Sequence, residues 1–123
     1  MEPGSRFLYY PRQFNGMLMA KQKHLKSFAE DLRSLFGDRV EKILLYGSYA
    51  RGEEAPGSDV DLAVLLTEKR REDRKKAQEL AEEWMQETEL RFSVRVFEED
   101  EFEEKVEEGY SFHTNVKKEG VEI

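Results

Sequence analysis

The sequence contains no cysteine, no long apolar run and no excess of positive charge. Without cysteine the chain can form neither a disulfide framework nor a thiolate metal site, which is typical of proteins in a reducing cytosol. Its longest apolar runs have the length of a strand rather than of a membrane span. No stretch has the pattern of a signal peptide. We therefore expect a soluble, cytoplasmic protein with no membrane attachment.

The balance of charge is acidic, with 27 acidic against 20 basic residues and a net charge of −7. A surface that binds nucleic acid nonspecifically is normally basic, so this balance argues against that function. It leaves open the binding of a small nucleotide that arrives with metal ions. The chain has 123 residues, which is enough for one core. We expect one domain over residues 15–123, preceded by an arm at residues 1–14.

The predicted arm is aromatic and extended. Residues 7–11 read FLYYP, and the proline disfavours a helix at the residue before it. Two interpretations remain open: the arm packs on its own domain, as apolar residues usually do, or it docks a second chain, because clustered exposed aromatic residues mark interfaces.

The rest of the chain alternates between helical and strand patterns. Apolar residues recur at helical spacing from Leu25 to Phe36, and Gly37 is suited to end that helix. Strands are predicted by apolar or alternating stretches at residues 40–46, 59–66 and 90–97. Helical spacing returns at residues 69–87, 98–108 and 110–118. This order predicts an α/β (α+β) domain of three or four strands, with helices on one side of the sheet.

The most informative stretch is residues 46–66, which read YGSYARGEEAPGSDVDLAVLL. Residues i and i+2 of a strand point the same way, so Asp59 and Asp61 project together while Val60 and Leu62 point into the core. Two carboxylates this close repel each other unless a cation lies between them. Mg²⁺ prefers such oxygens and keeps its other sites for water or substrate phosphates. The pair alone does not decide the function, because a solvent-exposed strand edge can carry it too.

The residues before this pair suit a phosphate group. Gly47 allows close approach of the backbone, and Ser48 offers a hydroxyl and an amide at a predicted helix start, where free N–H groups suit phosphate oxygens. Arg51, one turn later, has two possible roles. It binds phosphate, or it pairs with Glu53, Glu54 or an aspartate across the loop.

Two motifs together, GSYARG at residues 47–52 and SDVDL at residues 58–62, resemble the signature of the minimal nucleotidyltransferases of the DNA polymerase β superfamily. The match is dense over residues 43–66, and its length and order extend to residues 25–97. The resemblance implies a polymerase β-like fold, with a small mixed sheet flanked by helices. It also implies that the protein binds a nucleoside triphosphate, such as ATP, together with Mg²⁺.

The resemblance assigns roles to four residues. Gly47 and Ser48 would hold the β and γ phosphates. Arg51 is a third candidate nucleotide-binding residue because of its position one turn later, not because of the resemblance. Asp59 and Asp61 would be the catalytic residues and would coordinate two metal ions. A hydroxyl would then attack the α-phosphate, transfer a nucleotidyl group and release pyrophosphate.

The chain departs from the family pattern at one place. These enzymes generally take a third carboxylate from a later strand, but the polar positions of LRFSVRVF at residues 90–97 are Arg91, Ser93 and Arg95. Glu89, just before the strand, is two to four positions early. An arginine on this face would repel the metal that activates the attacking group, although it could bind phosphate. We therefore expect an incomplete two-metal site.

Two main functions remain open, and a homodimeric nucleotide sensor, which no residue pattern supports, is a third. The protein transfers a nucleotidyl group, AMP, to a hydroxyl of a protein or RNA, or it is a catalytically degenerate module that binds nucleotide or a partner. Small members of the family often pair with an all-helical HEPN-domain protein, in toxin–antitoxin modules where the nucleotidyltransferase is the antitoxin. We therefore expect a HEPN-type partner that presents the acceptor, or a homodimer. Residues 7–14 and 98–108 are the candidate contact surfaces.

Overall fold

The structure of the protein, a computed structural model, describes residues 19–123. The predicted arm at residues 1–14 and the domain boundary at residue 15 lie outside this range, as does the choice between the arm's two interpretations. The helices are α1 (Met19–Phe36), α2 (Ser48–Arg51), α3 (Asp73–Thr88), α4 (Glu99–Glu107) and α5 (Ser111–Glu119). The strands are β1 (Val40–Tyr46), β2 (Val60–Leu66), β3 (Phe92–Glu98) and β4 (Val121–Glu122). A 3₁₀ turn at Gly37–Arg39 joins α1 to β1.

The four strands form one mixed sheet in the order β3-β2-β1-β4. β1 pairs antiparallel with β2 and with β4, whereas β2 pairs parallel with β3. The parallel pair requires a crossover connection, and α3 provides it. The prediction of a small mixed sheet with flanking helices is confirmed, and β4 is a short addition that the sequence pattern did not predict.

Helices cover both faces of the sheet, so the expectation of helices on one side was wrong. On β1, Ile43 and Leu45 belong to a core cluster with residues of α1 and α3. The alternating residues Leu44 and Tyr46 belong to a second cluster that contains Phe102 of α4 and a valine of α5. The cause is the continuous apolar character of β1 and β2, since a strand of this kind is buried on both faces.

The start of α3 is held to the start of β1 by an ion pair. Arg39 contacts both carboxylate oxygens of Asp73, at 2.7 and 3.0 Å, and the Asp73 side chain is fully buried. The amide of Arg70 also donates to Asp73, at 2.7 Å. These contacts explain why α3 begins at Asp73, four residues later than the predicted residue 69. Among the described helices, none combines the length and the apolar character needed to cross a membrane.

Candidate active site

The glycine–serine turn and the aspartate pair meet at the end of β1 and β2. The antiparallel register sets Tyr46 opposite Asp61, and Gly47 follows Tyr46 directly. Gly47 has φ 78° and ψ −157°, a backbone conformation that is essentially limited to glycine. A Cβ atom at Gly47 would overlap the carboxylate of Asp61. The phosphate-binding candidate and the metal-binding candidate are therefore in direct contact.

A single helical turn, α2, holds Ser48 at this position. The amide of Arg51 donates to the carbonyl of Gly47 at 3.1 Å, and the amide of Glu53 donates to that of Ser48 at 2.9 Å. Tyr49 is buried, and its hydroxyl accepts a hydrogen bond from Lys21 of α1 at 3.0 Å. Ser48 itself is half-buried. The predicted helix start at Ser48 is confirmed, and buried neighbours fix its place beside Asp61.

The two aspartates interact with each other. Asp59 is exposed just before β2, Asp61 is half-buried within it, and Val60 and Leu62 are buried as predicted. Burial raises the pKa of Asp61 above its ordinary value, and the negative charge of Asp59 raises it further. Such a pair favours a bound cation, which would relieve the repulsion between the carboxylates.

The neighbouring strand β3 presents an arginine on the face of the aspartate pair. In the parallel register, Asp61 lies opposite Ser93 of β3, and Arg95 is the next β3 residue on the same face. The guanidinium of Arg95 lies over the ring of Phe112, 4.7 Å from its centre. Its positive charge lowers the pKa of Asp61 and so opposes the effect of burial. The other residues that β3 directs to this face are Ser93 and Phe97, and the lack of a third metal-binding carboxylate stays a prediction.

Glu89 does not join the aspartates. It ends α3 in the left-handed conformation, with φ 62°, and its amide donates to the carbonyl of Met85 at 2.9 Å. Its side chain lines a cavity of about 370 Å³ that Lys21 and His24 of α1 also line. Within residues 19–123, no group of three or more Asp, Glu, His or Cys side chains is arranged to hold a metal ion.

Glu119, at the end of α5, is a site residue that the sequence pattern missed. Its carboxylate accepts the N–H of Gly47 at 3.1 Å and contacts Arg51 at 3.2 Å. Arg51 also contacts Glu53 at 2.9 Å, so one of the pairings considered for it is present. Binding of phosphate by Arg51 stays a prediction. The bond joins residues 72 positions apart, and nothing local distinguishes Glu119 from the many other glutamates.

The sheet explains why Glu119 reaches Gly47. The amide of Ile123 donates to the carbonyl of Ile43 at 2.9 Å, so Ile43, Leu45 and Gly47 direct their backbone groups toward β4. Within residues 19–123, β4 pairs with Leu44 and Leu45 alone and stops short of Gly47. The side chain of Glu119 then accepts the N–H that a longer strand would have bonded.

The donor set fits one magnesium ion better than two. Mg²⁺ is commonly bound by one or two carboxylates together with the phosphates of a substrate, and Asp59 and Asp61 supply that number. On the face of β3 that lies beside Asp61, the charged residue is Arg95, whose positive charge acts on Asp61. We therefore expect the aspartates to hold an ion that arrives with a nucleotide, whereas the residues around Arg95 do not fit a second ion.

The mixed sheet, with the GSYARG and SDVDL motifs side by side at the end of β1 and the start of β2, has the features expected of a nucleotidyltransferase domain. Residues 25–119 match the family model of the nucleotidyltransferase domain, so the chain belongs to that family. The family predicted from the two motifs is confirmed.

Three relatives from Methanocaldococcus jannaschii carry the name "Putative protein adenylyltransferase". They are 40%, 39% and 46% identical to this chain over 47, 44 and 54 residues, which are 38%, 36% and 42% of its length. The matched segments span less than half of each relative, namely 47%, 44% and 37%. A crystal structure of a "putative nucleotidyltransferase" from Sulfolobus solfataricus is 23% identical, with a TM-score of 0.49, over 67% of this chain and 70% of that one.

Proposed function

We propose that the protein is a magnesium-dependent nucleotidyltransferase that binds ATP and transfers its AMP group to a hydroxyl of a partner protein. The observation that carries this proposal is the contact between the Asp61 carboxylate and the Gly47 turn, within a chain whose residues 25–119 match the nucleotidyltransferase domain. The names of the three archaeal relatives favour a protein as the acceptor. The acidic net charge of −7 also favours a protein over RNA.

In the proposed reaction, the hydroxyl oxygen of the acceptor attacks the α-phosphorus of ATP. The bond from that phosphorus to the oxygen bridging to the β-phosphate breaks, its electrons leave with pyrophosphate, and the hydroxyl proton passes to solvent. Gly47, which has no side chain, lets the phosphates approach the backbone, and the Ser48 hydroxyl donates to a phosphate oxygen. Asp59 and Asp61 would hold a magnesium ion, which when bound would neutralise phosphate charge.

Arg95 favours a second candidate function, a module that binds nucleotide without transferring it. Its positive charge stands where an acidic residue would help to activate the attacking hydroxyl. In this alternative the GSYARG turn and the aspartates still bind MgATP, and the protein acts on its partner by binding alone.

The acceptor hydroxyl requires a partner protein. We propose that it presents the acceptor hydroxyl, with an all-helical HEPN-domain protein as the first candidate and a second copy of this chain as the alternative. The acidic helix α4 is a candidate contact surface, because Glu99, Asp100 and Glu101 cluster in its first turn.

A labelling experiment tests transfer directly. The protein is incubated with Mg²⁺, the protein encoded by the neighbouring gene, and ATP that carries ³²P at either the α or the γ position. We expect only the α label to appear on protein, and the Asp59→Asn/Asp61→Asn variant to lose at least about 100-fold in labelling, because even outer-shell partners of a metal are worth about 10- to 100-fold. The Glu79→Gln/Glu83→Gln variant, which changes two exposed carboxylates of α3 outside the site and outside the candidate contact surfaces, should keep the activity.

Calorimetry with MgATP separates the two candidates when no label is transferred. Binding that Asp59→Asn/Asp61→Asn loses, without transfer, would favour the binding module. Transfer of the γ label would show a phosphoryl transferase instead. If neither the wild-type protein nor the Glu79→Gln/Glu83→Gln control binds MgATP, both candidate functions are wrong.

A further inference from the structure

The outer edge of the sheet, along β3, has no strand partner among residues 19–123. β3 is the end strand and pairs only with β2. The carbonyl of Arg91 accepts the N–H of Val60 at 2.8 Å, so alternate residues from Arg91 onward bond to β2. The intervening residues direct their N–H and C=O groups to the open side: Phe92, Val94 and Val96. An edge of this kind is a template for another extended chain.

Three arginines and two carboxylates line this edge, and in the smaller of its two cavities the charged residues are all arginines, although the protein as a whole is acidic. Two adjoining cavities of about 590 and 430 Å³ follow β3. Three arginines line them: Arg91 just before β3, Arg95 of β3 and Arg74 of α3. All three arginines are exposed. In the described part of the chain, no carboxylate lies within 4.0 Å of any of them as an ion pair. Asp59 and Glu82 line the larger cavity too.

The charge also indicates what can bind there. A second copy of β3 would bring its own arginines against these, and like charges facing each other across strands are destabilising. An acidic segment instead gains one opposite charge for each arginine. Charge complementarity of this kind also speeds encounter and excludes wrong partners.

The edge leads to the candidate active site. Ser93 of β3 lies opposite Asp61 of β2, and Asp59 lines the same cavity as Ser93. A strand added outside β3 would lie two strand spacings, about 9.6 Å, from β2. Side chains that it directs to the face of Ser93 and Arg95 would therefore project beside the aspartate pair.

We propose that the open edge of β3 is the docking surface for the acceptor. The partner protein adds an extended acidic segment to β3, its carboxylates pair with Arg74, Arg91 and Arg95, and its hydroxyl-bearing residue comes to lie beside Asp59 and Asp61. Arg95 then recognises the acceptor, and its position on β3 is not simply that of a missing metal ligand. The delivery of a hydroxyl rests on the proposed function, whereas the docking itself does not.

A peptide of alternating valine and glutamate, labelled with fluorescein, tests the docking by fluorescence polarisation on the full chain. A peptide with lysine in place of glutamate is the control for charge. We expect the acidic peptide alone to bind, and Arg74→Gln and Arg95→Gln each to weaken its binding by about two- to fivefold, as for an exposed ion pair. Arg71→Gln, an exposed arginine outside both cavities, should have no effect.

Hydrogen exchange of the backbone amides tests the same surface without any variant. We expect the amides of Phe92, Val94 and Val96 to exchange rapidly in the free protein and to be protected when the acidic peptide is added. Protection already present in the free chain would show that its own residues or a second copy cover the edge, and would overturn the proposal. Equal binding of the lysine peptide would overturn it as well.

The docking surface and the proposed function can fail separately. If MgATP binds and the acidic peptide protects none of these three amides, the docking surface is wrong and the nucleotide site stands. If the peptide protects them while MgATP does not bind, the docking surface stands and the nucleotidyltransferase function is wrong.

Discussion

Replacing Gly47 with alanine puts a methyl group where the Asp61 carboxylate now lies. The substitution has two separate effects. The backbone at Gly47, with φ 78° and ψ −157°, becomes strained for any residue with a side chain. In addition, the Asp61 carboxylate must move away from the turn that we expect to hold phosphate.

The backbone strain lowers the stability of Gly47→Ala, and the displacement of Asp61 lowers its affinity for MgATP. Strain of this kind costs about 1–3 kcal/mol, against a total stability of about 5–15 kcal/mol for a small domain, so Gly47→Ala should still fold. Moving Asp61 separates the metal-binding candidate from the phosphate-binding candidate. We expect the dissociation constant for MgATP to rise at least about tenfold, which corresponds to about 1.4 kcal/mol.

Gly109→Ala is the matched control for this prediction. Gly109 also has a positive φ, 83°, but no atom lies within 4 Å of a Cβ added there, so the control carries backbone strain without displacing Asp61. Urea unfolding, followed by the fluorescence of the single tryptophan, Trp84, measures stability, and calorimetry measures MgATP binding. If Gly47→Ala binds MgATP as tightly as Gly109→Ala does, the contact between Gly47 and Asp61 has no part in nucleotide binding.

Three other expectations concern the ion pairs. Asp73→Asn removes the negative charge of a carboxylate whose two oxygens both contact Arg39. Because this side chain is fully buried, urea unfolding should show a free energy of unfolding lower by about 3–5 kcal/mol. A variant as stable as the wild-type protein would contradict this expectation. The hydrogen bonds from Arg39 lower the pKa of Asp73. The stability that the ionised Asp73 contributes is therefore complete above about pH 4 and declines as the pH falls through the lowered pKa. Asp73→Asn should lack this loss of stability in acid. Glu119→Gln keeps an oxygen for the Gly47 N–H but removes a negative charge beside Arg51. Because that charge no longer competes with phosphate for Arg51, calorimetry should show MgATP binding tighter by about two- to fivefold. Weaker binding would mean that Glu119 acts by positioning the turn.

Local residue patterns were sufficient for much of the fold. The apolar run at residues 40–46 predicts β1 with the bounds that the structure has, and the pattern at residues 59–66 misses the start of β2 by one residue. Strand and helix periods depend on neighbours in the chain, so they can be read without tertiary information. The two motifs were likewise enough for the family, because their residues lie close together in sequence.

The positions of distant elements could not be predicted in the same way. The apolar stripes of α4 and α5 predict that these helices are buried, but not which face of the sheet they cover. Their place on the second face depends on the continuous apolar runs of β1 and β2, together with the chain path after β3. The two residues of β4 are too few for a strand pattern, and they form a strand only because β1 offers an edge.

The residues of the candidate site likewise fall into those that are close in sequence and those that only the fold brings together. Gly47, Ser48, Asp59 and Asp61 lie within fifteen residues of one another and carry a recognisable motif, so their association follows from sequence alone. The contact of Gly47 with Asp61 depends on the antiparallel register of β1 and β2. The arginines along β3 and the carboxylate of Glu119 come from other parts of the chain, and only strand pairing and helix packing bring their charges to the aspartate pair.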